Sequence, residues 1–105
     1  MRPGYCASWL LAILALFLAA PPSAHATEAS TILQECAACH GVDGVGRDIE
    51  IPNLAGQQER YLYLQLQNFK SGKRPHKEMR YESRHLSDEE MKELSHYYAQ
   101  LPAGR

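Results

Sequence analysis

The pentapeptide Cys36-Ala37-Ala38-Cys39-His40 restricts what this chain can fold into more than any other stretch. It has the form C-x-x-C-H, the spacing for covalent attachment of a c-type haem. Two thiols on one helical turn reach the two vinyl groups of a porphyrin and form thioethers. The adjacent imidazole is then held against the iron as its proximal ligand. A chain fixed to a porphyrin at three points must fold around it. Two other readings of the motif have less support. A thioredoxin-like redox pair sits beside a βαβ pattern, and none is visible. Half of a zinc site would need further ligands, but Cys6 is the only other cysteine and there is no second C-x-x-C.

The first 26 residues read as a cleaved signal peptide. Arg2 supplies a positive start, Trp9 to Ala20 is an almost unbroken apolar run, Pro21-Pro22 breaks it, and Ala24-His25-Ala26 is an A-x-A cleavage site. The run is shorter than the ~18 apolar residues of a membrane span. The cleavage site also argues against a retained anchor, so no integral span is expected in the mature chain. Cys6 would be discarded with the leader. Export bears on the chemistry, because two free thiols in an oxidising compartment normally form a disulfide. A disulfide across two intervening residues would staple almost nothing, whereas haem attachment accounts for both thiols and the histidine.

Cleavage leaves one domain, residues 27–105, of about 80 residues, a size that often needs a metal, a disulfide or a cofactor to supplement its core. A porphyrin would serve as that supplement. The whole chain carries 11 Lys and Arg against 12 Asp and Glu, and losing Arg2 slightly deepens the acidic excess. That balance gives no indication of a nucleic-acid partner.

Along the mature chain, Glu28 to Cys39 reads as a short helix with Ile32 and Leu33 as its apolar contacts. Gly41 to Gly46 is a turn-dense loop; it is not a phosphate loop, since no strand precedes it and no Lys-Ser or Lys-Thr follows. Gln58 to Phe69 places Tyr61, Leu62, Leu64, Leu66 and Phe69 at helical spacings, and Ser71-Gly72 stops the helix. Residues 70–86 read as an irregular basic loop in which Pro75 forbids a continuous helix. Ser87-Asp88-Glu89-Glu90 is a capping box, followed by an apolar stripe of Met91, Leu94, Tyr97, Tyr98 and Leu101 that Pro102 ends. The expected fold is all-α, three or four short helices with long loops.

Haem iron has a second axial position, for which Met79, Met91, His76, His85 and His96 are the available donors. Met91 belongs to the core stripe of the last helix, and His96 lies off that stripe. Met79 stands among charges, where a methionine has no packing reason to be. His76 and His85 share its segment and compete with it.

Several motifs in order resemble the small class I bacterial cytochromes c and each half of the related di-haem periplasmic cytochromes. They are Cys36 to Gly44, Pro52-Asn-Leu-Ala-Gly-Gln57, Arg60-Tyr-Leu with Gln65-Leu, Phe69-Lys-Ser-Gly72, and Leu86-Ser-Asp-Glu-Glu90 with Tyr97-Tyr98. The resemblance covers essentially residues 30–101. It implies one covalent haem c on Cys36 and Cys39, with His40 and Met79 as axial ligands, Met79 lying seven residues before Leu86 as the family's distal methionine does. It also implies that the carbonyl of Pro52 holds the His40 ring. The chain departs from the family in its polar segment Arg80 to His85, which implies a wetter distal side and a lower potential. A glycine common in the family's first helix is also missing, with Ala29 or Ser30 nearby.

The resemblance implies a periplasmic one-electron carrier of the Gram-negative type, not an enzyme, since both axial positions are filled by the protein. The basic cluster of Lys70, Lys73, Arg74, Lys77, Arg80 and Arg84 would steer redox partners with an acidic docking face. The alternatives are a haem subunit of a periplasmic oxidoreductase complex and a ligand-binding sensor haem.

Overall fold

The computed structural model of the chain describes residue 19 and residues 24–103. The leader expected at residues 1–26 therefore lies outside the described residues, apart from residue 19 and its last three residues, which form the start of the first helix. Four helices make up the fold: α1 (Ala24–His40), α2 (Glu59–Ser71), α3 (Lys77–Ser83) and α4 (Asp88–Gln100). The described residues contain no strand. None of their helices is long and apolar enough to cross a membrane.

α4 starts where its sequence says it should. The Ser87 hydroxyl accepts the Glu90 amide at 3.2 Å and the Glu90 carboxylate accepts the Ser87 amide at 2.6 Å, so two orphan amides of the first turn are satisfied reciprocally. The three acids of that turn also face the positive end of the helix dipole. Its stripe supplies the core: Met91 and Leu94 are buried together with Leu86, and Ile32, Leu33, Cys36, Tyr63 and Leu66 pack against them. Thus α4 touches α1 on one side and α2 on the other, while α2 also carries α3. On the facing side Tyr63 donates to Asp88 and accepts from Gln67 at 2.7 Å, tying α2 to the first turn of α4.

α2 ends at Gly72, which adopts φ +79° and returns its amide to the Phe69 carbonyl. Its stripe is narrower than the spacing predicts. Leu62 and Phe69 are buried, but Tyr61 and Leu64 are exposed.

The segment after α2 differs from the expected irregular loop. Pro75 lies three residues beyond Gly72, where α2 has already ended, and pushes Arg74 out of helical geometry. It does not prevent a new helix two residues later. His76 takes an extended backbone (φ −167°, ψ 119°), its ring caps the next turn, and α3 runs from Lys77 with Glu78 at its positive end. Met79 thus lies on a short helix and not in a loop.

Candidate haem-attachment site

α1 delivers the motif at its C-terminal end. Cys36 is half-buried against the core, Cys39 is exposed and His40 is buried. Beyond His40 the chain turns back on itself: the Gly41 amide bonds the Ala37 carbonyl at 2.9 Å and the Arg47 amide bonds that of Cys39, also at 2.9 Å. The Gly44 carbonyl accepts from both Leu54 and Ala55, at 2.8 and 3.1 Å. The Gly46 amide donates to the Asn53 side chain at 2.8 Å. Gly46 is obligatory, since a Cβ there would lie 1.9 Å from the Ile51 carbonyl oxygen. This closed loop brings the Pro52 carbonyl to 2.9 Å from Nδ1 of His40. A carbonyl can only accept, so Nδ1 carries the proton and Nε2 keeps its lone pair free for a metal.

α4 holds the same loop from outside. Tyr98, stacked edge-on against Tyr97, donates to the Gly41 carbonyl at 3.4 Å, and Tyr97 donates to that of Val42. The Gly56 amide bonds the Tyr98 carbonyl at 3.0 Å. The sequence placed these tyrosines on the core stripe and among the motifs of the family resemblance but gave them no task at the loop; two adjacent hydroxyl-bearing aromatics at the end of an amphipathic helix were the available signal. Burial pushes the Cys36 thiol up to about 11, with Glu82 and Glu35 adding to the rise. It is therefore neutral at physiological pH. Burial also raises Tyr98, with the nearby Cys36 contributing.

The other side is less converged. Met79 is half-buried on α3. Its backbone amide donates to Nδ1 of His76 at 3.3 Å. Met91 is 4% exposed, a core residue. His96 is exposed and bonded to Glu59 across 3.0 Å. A cleft of about 840 Å³ opens beside Cys39, with Ile32, Glu35 and Cys39 on one wall and Tyr81, His85 and Leu86 on the other. The cleft falls within the roughly 300–1,000 Å³ of small-molecule and cofactor sites. His40 and Met79 are not among its lining residues, whereas His85 is. The structure therefore brings Cys36, Cys39, His40 and Pro52 together and leaves Met79 outside that cleft.

The donor set fits a covalently attached haem. Two free thiols stand one turn apart, and the adjacent imidazole is fixed in the tautomer that offers Nε2. On α3 the fully buried Ser83 hydroxyl has no hydrogen-bond partner among the described residues. Among the described residues no three His, Cys, Asp or Glu side chains converge on a common metal position, so the zinc reading gains nothing.

The family model "Cytochrome c" matches residues 26–102. The chain belongs to the cytochrome c family. It is 44% identical over 64 residues to cytochrome c4 of Pseudomonas aeruginosa, covering 61% of this chain and 32% of that protein. It is 40% identical over 95 residues to the thiosulfate dehydrogenase electron acceptor of Thiomonas intermedia, covering 87% and 42%. Cytochrome c-554(548) of Halomonas halodenitrificans is 36% identical over 67 residues, covering 61% and 81%. The chain spans about a third of the length of the first curated relatives it matches. Its all-helical arrangement is that of the class I cytochromes c, and its cofactor is covalent haem c, for which Cys36 and Cys39 supply the C-x-x-C-H thiols.

Proposed function

We propose that this cytochrome is an exported one-electron carrier, its leader removed after Ala26 and its mature domain working in the periplasm. Cys36 and Cys39 anchor the haem through thioethers, and His40 and Met79 are its axial ligands. The hydrogen bond from His40 to the Pro52 carbonyl carries this reading, because it leaves one imidazole nitrogen free in a fixed ring. When bound, haem c supplies an iron couple that accepts and returns one electron, at a potential that a thioether ligand raises.

The protein's own residues orient and insulate that couple. The Pro52 carbonyl fixes the orientation of the His40 ring and prevents it from turning. Tyr97 and Tyr98 pin the loop that carries Pro52. With both axial positions filled by side chains, no position is left for a substrate, so the protein transfers electrons and does not catalyse a reaction of its own.

Of the six basic residues expected to steer a partner, four are engaged within the fold. Lys70 bonds the Leu86 carbonyl. Arg74 bonds Gln65 at 2.8 Å and lies over the Phe69 ring, Arg84 lies over Tyr81, and Arg80 packs on Gly72. Lys73 and Lys77 are exposed and free of such contacts, and they carry the proposed attraction for an acidic partner. Two relatives named as thiosulfate dehydrogenase electron acceptors support a periplasmic oxidoreductase as the donor, whether met in solution or within a complex.

The test is Met79→Ala beside His85→Ala, since His85 lines the cleft. Met79→Ala is expected to abolish the sulfur-to-iron charge-transfer band of the oxidised protein and to open the reduced protein to carbon monoxide. His85→Ala should change neither. A band that survives in Met79→Ala refutes the ligand assignment.

A further inference from the structure

On sequence alone His76 competes with Met79 for the iron, but the fold gives its ring a different task. Nδ1 of His76 accepts the backbone amide of Met79 at 3.3 Å, and the ring rests edge-on against Phe69 of α2, centroids 6.0 Å apart at 66°. Nδ1 also faces the Glu78 carboxylate at 3.5 Å, and as acceptor of the Met79 amide its lone pair is turned to the cap and not to a metal. α3 has seven residues, too few to be stable alone. The first four amides of any helix lack intrahelical partners. In α3 the first helical bond is Arg80 to the His76 carbonyl at 2.9 Å, and the amide just before it, that of Met79, is the one His76 satisfies. The cap therefore fixes the backbone of the methionine itself.

We infer that His76 is a positioning residue for Met79, holding the backbone from which the thioether projects and so setting how readily that thioether leaves the iron. The inference rests on Met79 being the axial ligand. It assigns His76 no contact with haem. Asparagine is among the best N-caps and offers a side-chain acceptor at similar reach, whereas alanine offers none. Both substitutions remove the ring edge from Phe69, so comparing them separates the cap from the aromatic contact.

The experiment measures carbon monoxide binding to the reduced holoprotein, and the charge-transfer band of the oxidised form, in His76→Ala, His76→Asn and Met79→Ala. Without the cap the displaced state of Met79 becomes more populated. His76→Ala should bind carbon monoxide roughly fivefold faster than wild type, the usual weight of a lost side-chain cap, with a weakened band. His76→Asn should stay within about twofold of wild type. A His76→Ala protein indistinguishable from wild type overturns the inference, and so does a His76→Asn protein as fast as His76→Ala. If Met79→Ala keeps the band, the ligand assignment itself has failed; if it loses the band while His76→Ala behaves as wild type, only the cap inference has failed. Amide exchange on the wild-type holoprotein decides the matter even where a variant does not fold. The Met79 amide should exchange at least about fivefold more slowly than those of Lys77 and Glu78, and equal rates overturn the inference.

Discussion

Met91→Ala separates the core methionine from the one assigned to iron. Met91 is 4% exposed and packs with Leu86 and Leu94 where side chains of α1 and α2 meet α4. Truncating a buried methionine to alanine costs about 2–5 kcal/mol, the larger values arising where the cavity does not collapse. Three helices wall this site, so no single side chain can move in to fill it, which places the cost at about 3–4 kcal/mol. Alanine is the better helix former, so none of this cost comes from helix propensity. For a domain this small each kcal/mol lowers Tm by about 4–8 °C, so a fall of roughly 12–30 °C is expected. Thermal and urea unfolding of the oxidised holoprotein, followed by far-UV circular dichroism, measures it, and the absorption spectrum of the same samples reports the charge-transfer band. The band should persist while the midpoint falls. Loss of the band with stability changed by less than about 1 kcal/mol would show that Met91 is the ligand and not core, because a cavity in this core carries at least about 2 kcal/mol.

Cys36→Ala and Cys39→Ala should each remove one thioether, and the double variant should give little folded holoprotein; haem staining undiminished on a denaturing gel in the double variant would contradict the motif. Lys73→Gln with Lys77→Gln should slow electron transfer to an acidic partner at low salt and flatten its ionic-strength dependence without moving the potential, since exposed charges act over roughly 8 Å at physiological salt; an unchanged low-salt rate would show that the two lysines only solvate the surface. Gly46→Ala should destabilise the holoprotein by about 1–3 kcal/mol, the usual cost of forcing an extra carbon into a closed space. Its Cβ would meet the Ile51 carbonyl at 1.9 Å and displace the loop bearing Pro52, so unaltered urea stability would refute that geometry.

The parts of this protein that were legible from sequence are those whose signals are local and periodic. Ser87 and Glu90 announce α4 before any core is known, and Met91, Leu94 and Tyr98 repeat at helical spacing and are buried. Cys36, Cys39 and His40 are legible because the chemistry fixes their spacing. α3 was missed for two physical reasons. Seven residues hold too few turns for a periodic signal, and its cap is an imidazole instead of the usual hydroxyl, amide or carboxylate. The spacing in α2 overstated its buried face because spacing identifies a stripe but not how far a neighbour covers it, which leaves Tyr61 and Leu64 in solvent. Pro52 was named only through the family resemblance. It lies twelve residues from His40, and the fold back depends on backbone bonds around Gly44 and Gly46 that a composition-level reading sees only as a loop.

The two proposed axial donors are held by unlike constraints. His40 closes α1, its ring is bonded to a backbone carbonyl, and the loop supplying that carbonyl is fastened by its own backbone bonds and by Tyr97 and Tyr98 of α4. Removing any one side-chain contact leaves several others in place. Met79 rides on a helix of seven residues that borrows its stability from α2 and from one imidazole cap. Stability in a small protein is uneven, and elements with few buried contacts open first. The proposed proximal donor is thus built into the more densely fastened part of the chain, and the proposed distal donor into the part whose tightness a single side chain can set. Such an arrangement lets the affinity of the thioether for the iron, and with it the potential, change through residues of α3 while the attachment site stays intact.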